Sequence, residues 1–376
     1  LKALCNIADQ EQQVAAVRAC GIIAQSRPAK LSDCFRVVLV RLQRQSKIQQ
    51  KRLKFSGKTM EFITDYGNGI MAVDSGCGGR PQFDAVHFVI EKGHVAIIDT
   101  AMNSGVPLLL EALAAQGVRA EQVDYVILSH IHLDHAGAAG TLMALLPQAK
   151  LVVHPRGARH MIEPARLLAG TVAVYGVEVV QRIYGDILPV PAARIIEAQH
   201  GQTLDLNGRT LRLLDTPGHA RHHICIRDEH TGHIFTGDTF GLSYREFDRN
   251  GRCFAFPTTT PVQFDPVALH QSIDMLMKYS PQAIYVTHYG QVRDIPRLGA
   301  DLHRLIDALV ALALSLRDAG ATRHAQLKRA IQKLVEEEAA RSNWGLQGSD
   351  ALRLLDMDIE LNAQGLSVWL DAMHPA

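Results

Sequence analysis

The chain has 376 residues, of which 20% are charged and 47% hydrophobic, with a formal net charge of +1. So even a balance argues against intrinsic disorder and against a strongly basic nucleic-acid binder. No apolar run reaches the roughly 18–20 residues that cross a bilayer.

The even total conceals two kinds of chain. Residues 1–59 hold 12 Lys/Arg against 3 Asp/Glu, or +9, whereas residues 60–376 hold 27 against 35, or −8. The first 59 residues contain none of the 18 histidines, and the first methionine is Met60. The stretch RLQRQSKIQQKRLK has no aromatic residue and no apolar face long enough to dock. Residues 1–59 are therefore expected to be a basic leader, disordered or an artefact of the translation start, that contributes no chemistry. Cys5, Cys20, Cys34, Cys77, Cys225 and Cys253 show no CxxC spacing. Reduced thiols in a cytoplasmic protein are expected, with Cys77 a small residue in the turn SGCGG.

From Met60 the alternation of apolar and polar residues predicts strands at 61–64, 69–73, 85–91 and 94–98, separated by Gly and Asn/Asp turns. A helix is expected over 106–117, then a buried strand at 125–129. The sequence SHIHLDHAG follows, then a helix AGTLMALL, a strand at 151–154 and a further helical stretch. Asn207-Gly208 between two alternating runs predicts a hairpin, and 223–227 with 233–237 a second one. Asp265-Pro266 opens a helix as N-cap and first-turn proline, and AIYVT (283–287) reads as another strand. Beyond Arg297 the periods are helical to the end.

The chemistry concentrates after the strand at 125–129. His130, His132, Asp134 and His135 fall within six residues, and a loop leaving a strand end can turn them toward one point. Such nitrogen and oxygen donors suit Zn, Fe or Mn. Later predicted strands end in Thr216-Pro217-Gly218-His219, in Asp238 and in His288.

HxHxDH, TPGH, GD and a strand-terminal His, preceded by the Asp99 strand VAIIDT, resemble the metallo-β-lactamase-fold hydrolase superfamily over roughly residues 60–295. The resemblance implies an α/β fold: an αββα sandwich of two sheets with helices outside, metals at one edge, and here a helical extension over 296–376 covering the site. It implies two divalent ions, zinc before iron or manganese. His130, His132 and His219 would bind one, Asp134, His135 and His288 the other, and Asp238 would bridge them. Asp99 would hold the ligand loop by a hydrogen bond, and His223 would orient the site rather than coordinate. Asp134 or Asp238 would relay a proton as catalytic carboxylates.

Two branches of the superfamily fit poorly. A lactonase tyrosine is expected where Gly241 stands, and the lysine of the glutathione thioesterases (glyoxalase II) where Phe247 stands. The acidic body disfavours nucleic acid. The expected activity is a binuclear hydrolase whose metal-bridging hydroxide attacks an ester, thioester or lactone. The alternatives are an iron-dependent redox enzyme on the same fold and a metal-binding regulatory protein with little turnover. Tyr244, Arg245 and Tyr289 are candidate contacts to a small-molecule substrate. No membrane partner is expected, and ALVALALSL (308–316) offers a face for a homodimer.

Overall fold

The computed structural model describes residues 61–259 and 262–373, and the leader expected over 1–59 lies outside them. The described strands form two sheets. The first runs in chain order: β1 (Ile63–Asp65), β2 (Ile70–Asp74), β3 (Ala85–Glu91), β4 (His94–Ile98), β5 (Val123–Ile127), β6 (Lys150–Val153) and β7 (Ile195–Glu197). The second contains β8 (Thr203–Leu206), β9 (Arg209–Asp215), β10 (Ile224–Asp228), β11 (Ile234–Gly237), β12 (Ile284–Val286) and β13 (Gly290–Val292), with β8 and β13 at its edges. Pairs β4–β5, β5–β6, β6–β7 and β11–β12 are parallel and the others antiparallel. Asn207 and Gly208 both take positive φ, 52° and 97°, and make the predicted turn between β8 and β9.

Alternation along the strands builds the layers. In β3, Val86 and Phe88 face outward, where they meet Val106, Leu109 and Leu113 of helix α1 (Val106–Ala115). Val89, between them and Glu91, points the other way. It joins Ile70, Ile98 and Ile127 against Leu211, Leu213, Ile224 and Phe235 of the second sheet. The outer face of the second sheet, with Leu214, Cys225, Ile284 and Val286, is covered by helices. The result is the expected αββα sandwich. Among the other described helices, the first sheet's side carries α2 (Leu133–Ala136), α3 (Ala139–Leu145), α4 (Pro155–Ile162), α5 (Ala165–Tyr175) and α6 (Val177–Tyr184). On the second sheet lies α7 (Pro266–Lys278), with α8 (Ile295–Ser315), α9 (Arg323–Arg341), α10 (Gly348–Leu354) and α11 (Asp356–Met373) forming a C-terminal layer.

Strands β7 and β13 were not foreseen. Each has three residues with no longer apolar run around it, whereas the equally short β1 and β12 sit within the runs read at 61–64 and 283–287. Phe247, Phe254 and Trp344 pack ring against ring at 4.4–5.4 Å, so these aromatics join the second sheet to the C-terminal helices as core.

Candidate metal centre

Five strand ends deliver the site. Asp99 follows β4, Ser129 to His135 follow β5, His219 follows β9, Asp238 follows β11, and His288 follows β12. The parallel pairs β4–β5 and β11–β12 put four of these ends at one edge of the sandwich. Gly218 lets the fifth approach. Its φ is +139°, and a Cβ there would lie 2.3 Å from Leu269 Cα on α7.

The ligand-type atoms converge in two groups. His130 Nε2 lies 2.8 Å from His132 Nδ1, which is 3.1 Å from His219 Nε2, which in turn is 3.5 Å from Asp238 Oδ2. In the second group His135 Nε2 is 3.3 Å from Asp238 Oδ1 and 3.7 Å from Asp134 Oδ2. His288 Nε2 is 3.6 Å from Asp134 Oδ2 and 3.7 Å from Asp238 Oδ1. Ligands about 2.0–2.2 Å from a tetrahedral ion are spaced about 3.3–3.6 Å from one another. The imidazole–carboxylate separations of 3.3–3.7 Å suit this spacing, and the imidazole pairs at 2.8 and 3.1 Å would open by a few tenths of an ångström around an ion. His135 Nε2 and Asp238 Oδ1 are buried with no hydrogen-bond partner, which in a folded interior calls for another occupant between them. Asp238 turns one oxygen toward each group. All seven residues expected as ligands are thus brought together.

Hydrogen bonds behind the imidazoles set their tautomers. His135 Nδ1 faces Asp99 Oδ2 at 2.9 Å, and His288 Nδ1 donates to the Phe83 carbonyl at 3.1 Å. His130 Nδ1 meets the Ser129 hydroxyl at 3.1 Å, and His219 Nδ1 meets the Thr258 hydroxyl at 2.9 Å. A proton on each Nδ1 leaves each Nε2 lone pair directed inward, the pattern found behind metal-ligating histidines. Asp99 is the hub. Besides His135 it accepts from Ser129 N, Ser129 Oγ and Thr287 Oγ1 at 2.7–2.9 Å. His223 Nε2 accepts from the Asp238 amide at 3.2 Å, and its Nδ1 meets Thr216 and Thr239 hydroxyls. It touches the backbone of Asp238 and belongs to neither ligand group.

Electrostatics divides the two groups. Burial and neighbouring imidazoles hold His130 and His132 well below the usual histidine range, which keeps them neutral. Burial alone would raise the Asp238 carboxyl, but His135, His288 and His219 outweigh it and hold it well below the carboxylate range. In the other direction, burial would lower His288, yet Asp238 and Asp134 push it up to about 10. His135 is raised in the same way by Asp238, Asp134 and Asp99. The carboxylates thus demand positive charge in the space they share.

Beyond His288 the wall is aromatic and charged. Phe83 lies 5.6 Å from the His288 ring and stacks on Tyr244 at 5.4 Å, and the Arg80 guanidinium sits 4.2 Å above the Tyr244 ring. The Tyr244 hydroxyl donates to Asp358 Oδ1 on α11 at 3.1 Å. Four residues on, Asn362 Oδ1 accepts from Thr259 N at 2.6 Å, beside the Thr258 that supports His219.

None of the three candidate substrate contacts faces the cleft. Tyr244 is 1% exposed and packs in the core behind Phe83. Arg245 does not reach outward, because its guanidinium is occupied by the Ser243 and Gln291 carbonyls and by Asp248. There it braces Ser243, whose amide donates to the His288 carbonyl. Tyr289 is 2% exposed and packs against Ala72 and Ala85, inside the sandwich rather than in the cleft. Arg80, Phe83, Thr258, Asp358 and Asn362 were missed in the sequence. None sits in a motif, and α11 lies more than a hundred residues from the strand ends it meets.

Comparisons with known proteins bear on the family and the fold. A family profile described as the metallo-beta-lactamase superfamily matches residues 80–288. A metallo-beta-lactamase fold-containing protein of Sulfurisphaera tokodaii is 25% identical over 232 residues, 60% of this chain and 79% of its own length. An atrochrysone carboxyl ACP thioesterase of Passalora fulva is 30% identical over 148 residues, 38% of this chain and 34% of its own. The chain thus spans about a third of that relative. The crystal structure of a metallo-beta-lactamase family protein from Thermus thermophilus superposes with a TM-score of 0.59 at 20% identity, covering 82% of this chain and 95% of that one. The crystal structure of an archaeal metallo-beta-lactamase superfamily protein from Sulfolobus tokodaii gives a TM-score of 0.55 at 23% identity, covering 80% of this chain and 98% of that one. Profile, fold and strand-end residues together place the chain in the metallo-β-lactamase superfamily.

Proposed function

We propose that the protein is a binuclear metal-dependent hydrolase acting on a small ester, thioester or lactone. The observation that carries this is Asp238, whose two oxygens face two separate ligand groups. A carboxylate so placed suits a pair of ions, and it offsets part of their charge. Two divalent ions held there would lower the pKa of water from near 16 to around 7 and polarise a carbonyl.

The chain's own groups do the rest. Asp99, Ser129, Thr258 and the Phe83 carbonyl hold the imidazoles in the tautomer that presents Nε2. His223 fixes the Asp238 backbone. Asp134 is 34% exposed while Asp238, His135 and His288 are buried, so it is the carboxylate able to pass a proton between cleft and solvent. Burial would raise its carboxyl, but its neighbours His135 and His288 outweigh that and keep it ionised. Phe83, backed by the buried Tyr244, and the stem of Arg80 make one wall apolar, which favours an acyl chain over a polyanion. The name of the Passalora thioesterase supports the thioester end of the range.

The test is a panel of p-nitrophenyl esters, acyl thioesters and lactones offered to metal-loaded protein, with Asp238→Ala as control. Turnover above the control on one class supports the proposal. Two bound irons with visible absorbance and no hydrolysis would favour the redox alternative.

A further inference from the structure

The helices α7 and α8 carry a second histidine cluster, distant in role from the strand ends. Each has the sequence His-x-x-x-Asp: His270 with Asp274, and His303 with Asp307. That spacing puts both side chains on one helix face. The helices cross antiparallel, so each imidazole meets the other helix's carboxylate. His270 Nε2 lies 3.1 Å from Asp307 Oδ1, and His303 Nε2 lies 3.2 Å from Asp274 Oδ1. The two Nδ1 atoms face each other at 2.6 Å. The rings are within 10° of parallel with centroids 4.9 Å apart, so with nitrogens that close they meet edge to edge, not face to face.

Each carboxylate draws a proton onto its Nε2, which leaves a lone pair on each Nδ1. Two lone pairs directed at one another repel unless a cation stands between them. An imidazole whose far nitrogen donates to a carboxylate is also the usual support of a metal ligand. We propose that His270 and His303 form a second site, on the surface, for a divalent transition ion such as zinc. Both Nδ1 atoms would bind it, and it would pin α7 to α8. Bonds of about 2.0–2.1 Å need the nitrogens to open to roughly 3.3 Å. The two side chains are 26% and 28% exposed, so they have room to turn, and water can complete the coordination. Helix α7 leads into the strand that ends at His288, and α8 opens the C-terminal layer. The ion would therefore fasten that layer to the part of the sheet that carries a ligand of the main centre.

This inference does not depend on the hydrolase proposal. The full chain and a His303→Gln variant are dialysed against micromolar zinc, and metal per chain is counted by mass spectrometry. The variant is expected to hold one zinc fewer and to keep wild-type turnover. Asp307→Asn retains both Nδ1 ligands and is expected to bind the additional zinc 10–100-fold more weakly. Added zinc is also expected to raise the unfolding temperature of the wild type more than that of His303→Gln. Equal zinc content in wild type and His303→Gln would overturn the site, as would an unfolding temperature that zinc moves equally in both. In that case the two rings share only a proton.

Discussion

Replacing Asp99 by Asn tests how the ligand loop is held. Asp99 is 1% exposed and accepts from Ser129 N, Ser129 Oγ, Thr287 Oγ1 and His135 Nδ1. Asparagine keeps one oxygen for the Ser129 amide but turns an NH2 group toward the other three. The two hydroxyls can rotate and accept from it. The His135 Nδ1–H cannot, unless its proton moves to Nε2, and that blocks the nitrogen aimed at Asp238. Losing one hydrogen bond to a charged group costs about 1.5–3 kcal/mol of stability. Losing the support of a ligand weakens metal binding 10–100-fold, or about 1.4–2.8 kcal/mol. Asparagine is the right probe because Asp99 has φ +60°, a conformation that Asn tolerates and Ala does not. Competition with a chromophoric chelator measures the affinity, and thermal melts with and without metal measure the fold. Wild-type affinity in Asp99→Asn would refute the role given to this carboxylate.

Three further predictions follow from single residues. Asn362→Ala removes bonds to Thr259 N, Thr259 Oγ1 and the Pro257 carbonyl, and in urea titration it should lose about 2–4 kcal/mol. An unchanged midpoint would mean that the Asn362 side chain does not help to hold α11 on this loop. Gly237→Ala would put a Cβ 2.6 Å from Ser129 and 2.7 Å from His223 Nε2 at φ +47°, and should cost about 2–4 kcal/mol together with metal affinity. A variant melting with the wild type would contradict the close packing of β11 on the ligand loop. His87 is buried between Phe235 and Tyr285, and burial lowers it from 6.5 to about 4. Below 6.5 the unfolded chain takes up a proton that the folded one refuses. Stability is therefore lost as pH falls from 6.5 towards 4, by roughly 3 kcal/mol in full. His87→Phe should flatten this slope in denaturant melts at stepped pH, and equal slopes would show that other groups dominate.

What the sequence revealed was local. HxHxDH occupies one loop after one strand, so its ligands could be read without knowing the fold. His219, Asp238 and His288 needed their order along the chain, because each alone is an ordinary strand-end residue. Most strands followed from their apolar runs and the αββα layers from the family resemblance, and β7 and β13 lie in no such run. Contacts made at long range stayed hidden. Asp358 and Asn362 look like surface residues of an amphipathic helix until α11 is laid on the loop at 257–259. Burial was equally invisible, and so Tyr244, Arg245 and Tyr289 were candidates for the cleft when the first lies in the core, the second braces Ser243 and the third packs on Ala72 and Ala85.

The most direct test of the central claim is the paired measurement of bound metal and turnover in wild type and Asp238→Ala. At the main centre the wild type should hold two divalent ions per chain and hydrolyse one of the three acyl classes. Asp238→Ala should lose metal and at least a hundredfold in turnover, within the several kcal/mol that such electrostatic groups supply. A wild type that holds one ion there, or that hydrolyses no faster than Asp238→Ala, would contradict the account.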